Sequence, residues 1–326
     1  MIYAAVVDFL SDVIASMRTG RASSARVEWR APWGQRFPAM DGAAGFQVIL
    51  RGTCRLVPPQ GDPITLGVGD VVFFPHGDSY GLADELSTPL AEPRCDPVEN
   101  TELFVSDFIG TDGAATVTLC GGYQLDPTSK HPLLRDLPTV IHLPAELGKH
   151  PELRSAIELL GAEVGTPRLG ADIIVRALLD MLLLYLLRAW FEDQPAGAEV
   201  TGWAAALADP AIAAALQAIH ADPGRTWTVQ TLADVAGQSR AAFARRFQTM
   251  TGRPPLTYLT WWRLATAGRL LRESDAPLNE IARQVGYTSE FAFATAFKRE
   301  YGTAPGRYRH ADRPVSEPGK AAAGRS

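Results

Sequence analysis

Arg245 stands between two phenylalanines, Phe243 and Phe247, and that setting gives its guanidinium a definite chemistry. Residues four apart share one face of a helix, so the two rings point inward together. At about 100° per residue, Ala241, Arg245 and Gln248 then face outward, with Ala244 on the flank and Arg240 at the exposed N-terminal end. An outward arginine bonds guanine O6 and N7 bidentately in a DNA major groove. Fifty residues on, Phe293 and Phe297 repeat the pair. There the outward set is Phe291, Thr295 and Lys298, flanked by Ala294, with Glu290 at the tip. Glu290 matches a cytosine amino group, and Phe291 a thymine methyl. Arg240, Ala241, Ala244, Arg245, Glu290, Phe291 and Thr295 are therefore the expected base-reading positions. Ser239, Arg246, Ser289, Lys298, Arg299, Arg307 and Arg309 are expected at phosphates, contacts that position a protein without reading sequence.

Two copies of one small unit must hold these side chains. Phe243, Phe247, Gly252, Pro255 and Tyr258 recur as Phe293, Phe297, Gly302, Pro305 and Tyr308; upstream, Ala233 and Gly237 recur as Ala282 and Gly286, one residue out of step. Each copy reads as a short amphipathic helix, a glycine turn, a serine N-cap and a second helix, the helix-turn-helix layout. Between them Leu256 to Ser274 predicts one helix of about twenty residues, roughly 30 Å long, close to one turn of DNA. Charge agrees. Residues 209–311 hold 13 Lys and Arg against 8 Asp and Glu, a net of +5, in a chain whose net is −5. A basic module on an acidic body fits nucleic-acid binding by the module alone.

With those residues in place, the segment from Asp209 to Arg309 closely resembles the DNA-binding domain of AraC/XylS-type transcription regulators. The matching strings are TLADVAGQSRAAFARRFQTMTGRPPLTYL and LNEIARQVGYTSEFAFATAFKREYGTAPGRYR. The resemblance implies seven helices, two helix-turn-helix units, binding to double-stranded promoter DNA, an RNA polymerase partner and a homodimer. Family members with the closest second motif often carry arginine where this chain has Thr295, which weakens any transfer of base preference to that position.

From Val27 to Leu143, short apolar runs alternate with Gly, Pro and Asp turns, which predicts a small β-barrel or sandwich. The string Gly69-Asp70-Val71-Val72-Phe73-Phe74-Pro75-His76-Gly77, with APWG at 31–34 and HPLLRDLPTVIHLP at 131–144, resembles the cupin-type sensor domain of one AraC-like branch. In that branch histidine often stands where this chain has Gln47 and Tyr80, and glutamine is a poor metal ligand. His76, His131 and His142 remain, and each reads as a hydrogen-bonded structural histidine. The expectation is therefore no metal and no cofactor, and a barrel lumen that takes a small organic effector beside Trp33, Gln47 and Tyr80.

The fold class that follows is α+β, an N-terminal cupin-like barrel with a helical dimerisation segment and a C-terminal all-α domain. Residues 1–191 form the sensor, 192–208 a flexible linker, 209–311 the double helix-turn-helix domain and 312–326 a disordered tail. Ile174, Leu178, Met181, Leu182 and Tyr185 predict a broad apolar stripe for the barrel and for a second subunit. The apolar stretch Ile173 to Phe191 is broken by Arg176, Asp180 and Arg188, so no membrane span is expected. The start MIYAAVVDFLSDVIASM has no basic leader and carries Asp8 and Asp12; it reads as an amphipathic helix of a cytoplasmic protein. Cys54, Cys95 and Cys120 have no C-x-x-C spacing, which argues against a disulfide framework. The function expected is a non-enzymatic, effector-responsive transcription regulator. The alternatives are a thiol redox-responsive regulator acting through Cys95, and a metal-cupin enzyme or alkyl-repair methyltransferase joined to a DNA module. The last two lack their histidines and their zinc cysteines.

Overall fold

Strands of the first third alternate their side chains toward two different interiors. The computed structural model of the chain describes residues 9–17, 19–20, 22–92, 104–110, 112–125, 131–166, 168–194 and 202–311. Helix α1 (Phe9–Met17) is followed by β1 (Ser23–Arg30), β2 (Gly34–Phe37), β3 (Ala43–Arg51), β4 (Cys54–Val57), β5 (Ile64–Leu66), β6 (Val71–Phe74), β7 (Tyr80–Ala83), β8 (Phe104–Ile109) and β9 (Ala115–Gln124). A short α2 (Pro132–Arg135) and β10 (Ile141–Leu143) complete the sheet-forming part. Six strands pair in the order β10-β6-β3-β9-β1-β8 and four in the order β2-β7-β4-β5. Within these sheets only β1 and β8 run parallel.

Central strand β3 shows why the sequence folds this way. Successive residues of a strand face opposite sides, and here both sides are covered. Phe46 and Val48 join a core beneath the helices, whereas Ile49 joins Val27, Trp29, Trp33, Cys54, Leu56, Val72, Phe74 and Leu82 between the two sheets. Apolar residues on both faces of β3 therefore read as a continuous run rather than an alternation.

Helices α3 (Pro151–Gly165) and α4 (Ala171–Glu192) pack on each other and against the larger sheet. The Tyr123 hydroxyl donates to the Leu179 carbonyl at 2.9 Å and fixes the register of α4 on β9. Leu178 and Leu182 of the expected stripe are buried, while Ile174 and Met181, at the edge of the same stripe, remain exposed. No helix among the described residues is long and apolar enough to cross a membrane.

The segment expected to be a flexible linker departs from that reading. Residues 203–208 form helix α5 (Trp203–Ala208), and Trp203 is buried against Phe9, with ring centroids 5.7 Å apart. Proline, glycine and charge at 192–201 suggest a linker, but an indole followed by alanines has both a reason to be buried and a helix to ride on. Residues 195–201, the tail 312–326 and Cys95 lie outside the described residues.

Seven helices follow: α6 (Pro210–Ala221), α7 (Val229–Val235), α8 (Arg240–Thr251), α9 (Pro255–Glu273), α10 (Leu278–Gln284), α11 (Glu290–Tyr301) and α12 (Pro305–Ala311). They do not share one interior. Phe243, Phe247, Tyr258, Leu259, Trp261, Trp262 and Ala265 belong to the same continuous core as α1, α4 and the larger sheet. Leu264, Ala267, Leu271, Ile281, Phe293, Phe297 and Tyr301 make a separate cluster. Helix α9 thus divides its faces between two cores. Gly268 lets the second cluster close, since a Cβ there would lie 2.8 Å from the Tyr301 hydroxyl oxygen.

A candidate nucleic-acid interface on twin helices

The turn that aims each outward helix has the same construction in both copies. Gly237 (φ 62°) and Gly286 (φ 81°) adopt the left-handed conformation that glycine reaches without Cβ strain. The next N–H then closes the turn: Gln238 N donates to Ala233 O at 3.0 Å, and Tyr287 N to Ala282 O at 2.8 Å. Thr288 is the extra residue of the second copy, inserted between the closed turn and the serine cap. It accounts for the slip from forty-nine to fifty in the spacing of the repeat.

Ser239 and Ser289 each accept from the backbone N–H three residues on, Ala242 and Ala292, at 3.4 Å. Both hydroxyl oxygens therefore already cap α8 and α11. Phe243 with Phe247, and Phe293 with Phe297, are fully buried. Arg240, Ala241, Arg245, Glu290, Phe291, Thr295 and Lys298 are exposed, and Ala244 is half-buried on the flank. Phe291 keeps 82% of its surface in solvent, an unusual position for so large an apolar ring. The Thr295 hydroxyl donates to the Phe291 carbonyl at 2.9 Å, leaving its lone pairs and methyl to face outward.

Two arginines expected at phosphates also have partners within the protein. Arg246 is ion-paired with Asp209, a buried carboxylate that also caps α6 by accepting from Ala211 N and Ile212 N, each at 3.0 Å. Its guanidinium holds α6 against α8, because a buried carboxylate needs a cation more than a solvated one does. Arg309 donates to the Ala276 carbonyl in the α9–α10 connection. Each guanidinium thus has a partner within the protein, although about half of the Arg246 side chain (51%) stays in solvent. Lys298, Arg299 and Arg307 stay exposed, and Arg299 borders a cleft of about 390 Å³ between α9 and α11 that Arg253 and Glu300 also line.

In the barrel, Gln47 and Tyr80 come together. Gln47 Nε2 donates to the Tyr80 hydroxyl at 2.8 Å, and Tyr80 stacks between Phe74 and Phe37 at 3.7 and 4.7 Å. Burial pushes the Tyr80 phenol well above the ordinary tyrosine range, against the Gln47 hydrogen bond that lowers it, so it stays neutral. Trp33 lies in the same interior, stacked on Trp29 at 4.8 Å. Gln47 Oε1 and Trp33 Nε1 are both buried without a hydrogen-bond partner, one acceptor and one donor. Burial, with help from Asp70, pushes the Cys54 thiol up to about 12, which makes it unreactive.

Each histidine of the sensor takes a protein partner. His76 Nε2 lies 2.8 Å from the Leu137 carbonyl, His142 pairs with Asp70 at 3.3 Å, and His131 Nδ1 accepts from Leu133 N at 2.9 Å. Among the described residues no three His, Cys, Asp or Glu side chains converge as a metal site would require.

Comparison with known proteins matches this division of the chain. A cupin family model matches residues 8–192, and a helix-turn-helix domain model matches residues 232–311. The chain is 35% identical over 308 residues to a protein of Streptomyces lividans named as an AraC-like transcription regulator, covering 93% of this chain and 98% of the relative. It is 29% identical to the HTH-type transcriptional regulator AlkR of Acinetobacter baylyi, over 93% of this chain and 99% of that one. Among solved structures, the DNA-binding domain of AdpA in complex with a target DNA is 37% identical, covering 32% of this chain and 92% of that one, with a TM-score of 0.30. The chain, a cupin domain followed by two helix-turn-helix units, belongs to the AraC-like DNA-binding transcription regulators.

Proposed function

We propose that α8 and α11 each enter a major groove on one face of promoter DNA and read two half-sites with a single chain. The observation that carries this reading is the pair of capped helices, each with its phenylalanines buried and its outward residues in solvent. Arg245 reads a guanine, with Arg240 at the helix tip and Ala241 and Ala244 allowing close approach. Glu290, Phe291 and Thr295 form the second reading surface. Lys298, Arg299 and Arg307 neutralise phosphates, and Ser239 and Ser289 present the N-terminal ends of their helices to the backbone. α9, with 19 residues, spans about 28 Å, which suits units near one helical turn of DNA apart.

The sensor takes a small organic effector in the barrel interior, where Gln47 Oε1 and Trp33 Nε1 offer an acceptor and a donor beside the Tyr80 ring. Exposed Ile174 and Met181 on α4 support a homodimer through that helix. RNA polymerase is the partner through which DNA binding reaches transcription, and the setting is the cytoplasm. The effector must bind two states of the protein with different affinity to act at all.

Genome-wide mapping of bound DNA, followed by binding to the recovered fragments across salt concentrations, tests the reading. It requires a bipartite site with half-sites about one turn apart. A single short site, or binding without sequence preference, refutes the two-probe arrangement.

A further inference from the structure

The duplicated tyrosines that end the two repeats both enter hydrogen bonds that lead from the module to the N-terminal part of the chain. Tyr308 accepts from Arg272, whose Nη2 also donates to the Ser16 carbonyl of α1 at 3.0 Å. Tyr258 is held by two histidines. Its hydroxyl lies 3.2 Å from His131 Nε2, on the sensor side, and 2.7 Å from His220 Nε2 on α6. All three side chains are buried.

The direction of these bonds follows from one backbone donor. His131 Nδ1 accepts from Leu133 N, so it carries no proton, and the neutral ring's proton is on Nε2. Nε2–H therefore donates to the Tyr258 oxygen, and the Tyr258 O–H donates onward to His220 Nε2. The His220 proton is left on Nδ1, which faces Asp12 Oδ2 of α1 at 3.6 Å, just beyond hydrogen-bond reach. The chain His131, Tyr258, His220 runs one way across the boundary between sensor and reader, with both rings neutral.

We propose that this relay is an acid-releasable clasp that sets the pose of the first helix-turn-helix unit on the sensor. A second proton on His131 must enter at Nδ1, where it meets the Leu133 N–H head-on and undoes the cap of α2. A second proton on His220 must enter at Nε2, where it meets the Tyr258 O–H. That hydroxyl can only turn away, into a wall made by Phe9, Trp203, Trp261 and Trp262. Among the described residues, the charged groups coupled to the clasp are Asp12 on α1 and Arg253 in the turn before α9, with Arg135 at the end of α2 beside Arg253. Helix α5 brings the Trp203 ring to this wall and carries no charged side chain of its own. Burial lowers the pKa of both histidines; His220 and Arg253 lower His131 further, whereas Asp12 opposes the shift on His220. Groups with a depressed folded pKa stabilise the closed state above their ordinary value near 6.5 and lose that contribution as pH falls toward the folded value.

The clasp goes beyond base reading and does not depend on it, so its test needs no DNA. In the full-length protein, tryptophan emission and amide hydrogen exchange of α5 and α9 are followed from pH 8 down to pH 5. The expected result is a cooperative opening below the ordinary histidine range, with faster exchange in α5 and in the first half of α9. Tyr258→Phe keeps the ring and removes the shared hydroxyl; exchange in α5 should already be fast at pH 8 and the acid step lost. Asp12→Asn alters a partly exposed carboxylate, and so leaves folding intact; it should move the step to higher pH, because the closed state loses the charge that makes a protonated His220 tolerable there. A Tyr258→Phe protein with an unchanged acid step, or an Asp12→Asn protein whose step stays in place or moves to lower pH, overturns the clasp.

Discussion

Phe243 and Phe293 hold matching places in the two repeats, both fully buried, yet they belong to different cores. Truncating either to alanine should cost about 3–5 kcal/mol, the range for a buried phenylalanine whose cavity does not collapse. At about 1.4 kcal/mol per tenfold, that raises the local opening constant between about a hundredfold and a few thousandfold. Where the loss is felt should differ. Phe243 lies in the core shared with the sensor, so Phe243→Ala should lower the main transition of the whole chain. Phe293 lies in a cluster walled by α9, α10, α11 and α12, so Phe293→Ala should melt that unit first and leave the remainder near its original midpoint. The chain supplies its own discriminating probe. Of its seven tryptophans, Trp29 and Trp33 sit in the barrel, Trp190, Trp203, Trp227, Trp261 and Trp262 in or against the larger core, and none in the second unit's cluster. In urea, far-ultraviolet circular dichroism of Phe293→Ala should show an early step to which tryptophan emission is blind. Phe243→Ala should move both signals together. If Phe293→Ala shifts emission and dichroism in concert, the two cores are one cooperative unit and the division of α9 has no energetic meaning.

Arg245→Ala should weaken binding to the recognised site by about 1–3 kcal/mol and relax preference at one base pair; equal loss on random DNA would reassign Arg245 to phosphate. Lys298→Ala should reduce the salt dependence of binding by about one counterion, whereas Arg246→Ala should leave that slope alone and lower stability by about 1–2 kcal/mol by stranding Asp209. A thermal melt and a salt titration of both proteins separate these outcomes. Tyr80→Phe should cost about 1–2 kcal/mol by leaving Gln47 Nε2 unpaired in the barrel. In the unsubstituted protein the neutral Tyr80 contributes stability below the ordinary tyrosine value near 10 and loses it as pH rises above that value. Tyr80→Phe should therefore flatten the alkaline limb of a stability–pH curve.

The reading helices are legible in the sequence because duplication marks them twice. Phe243 and Phe293 fix the buried faces, and Gly237 and Gly286 fix the turns, so Arg245 and Thr295 fall outward by geometry alone. The barrel is legible from its turns, although β2, β7 and β10 span only three or four residues and carry too little pattern to be read as separate strands. What escapes is every partnership made over long sequence distance. Nothing near Arg246 points to Asp209, thirty-seven residues upstream, as its counter-ion. Tyr258 stands out as the twin of Tyr308, but its histidines come from residues 131 and 220, and no local period connects them. Helix α5 is hidden for a related reason: Trp203 is worth burying only because α1 and α2 arrive beside it.

Helix α9 is a party wall between two rooms, and the rooms do not carry equal obligations. Changes on the inner side must be agreed with a sensor, a linker helix and an N-terminal arm, while changes on the outer side concern only a few neighbours. Descendants of such a chain are freer to retune their distal probe than their proximal one. Drift in target preference should then gather in the far half of the operator, with the near half held steady by the company its reader keeps.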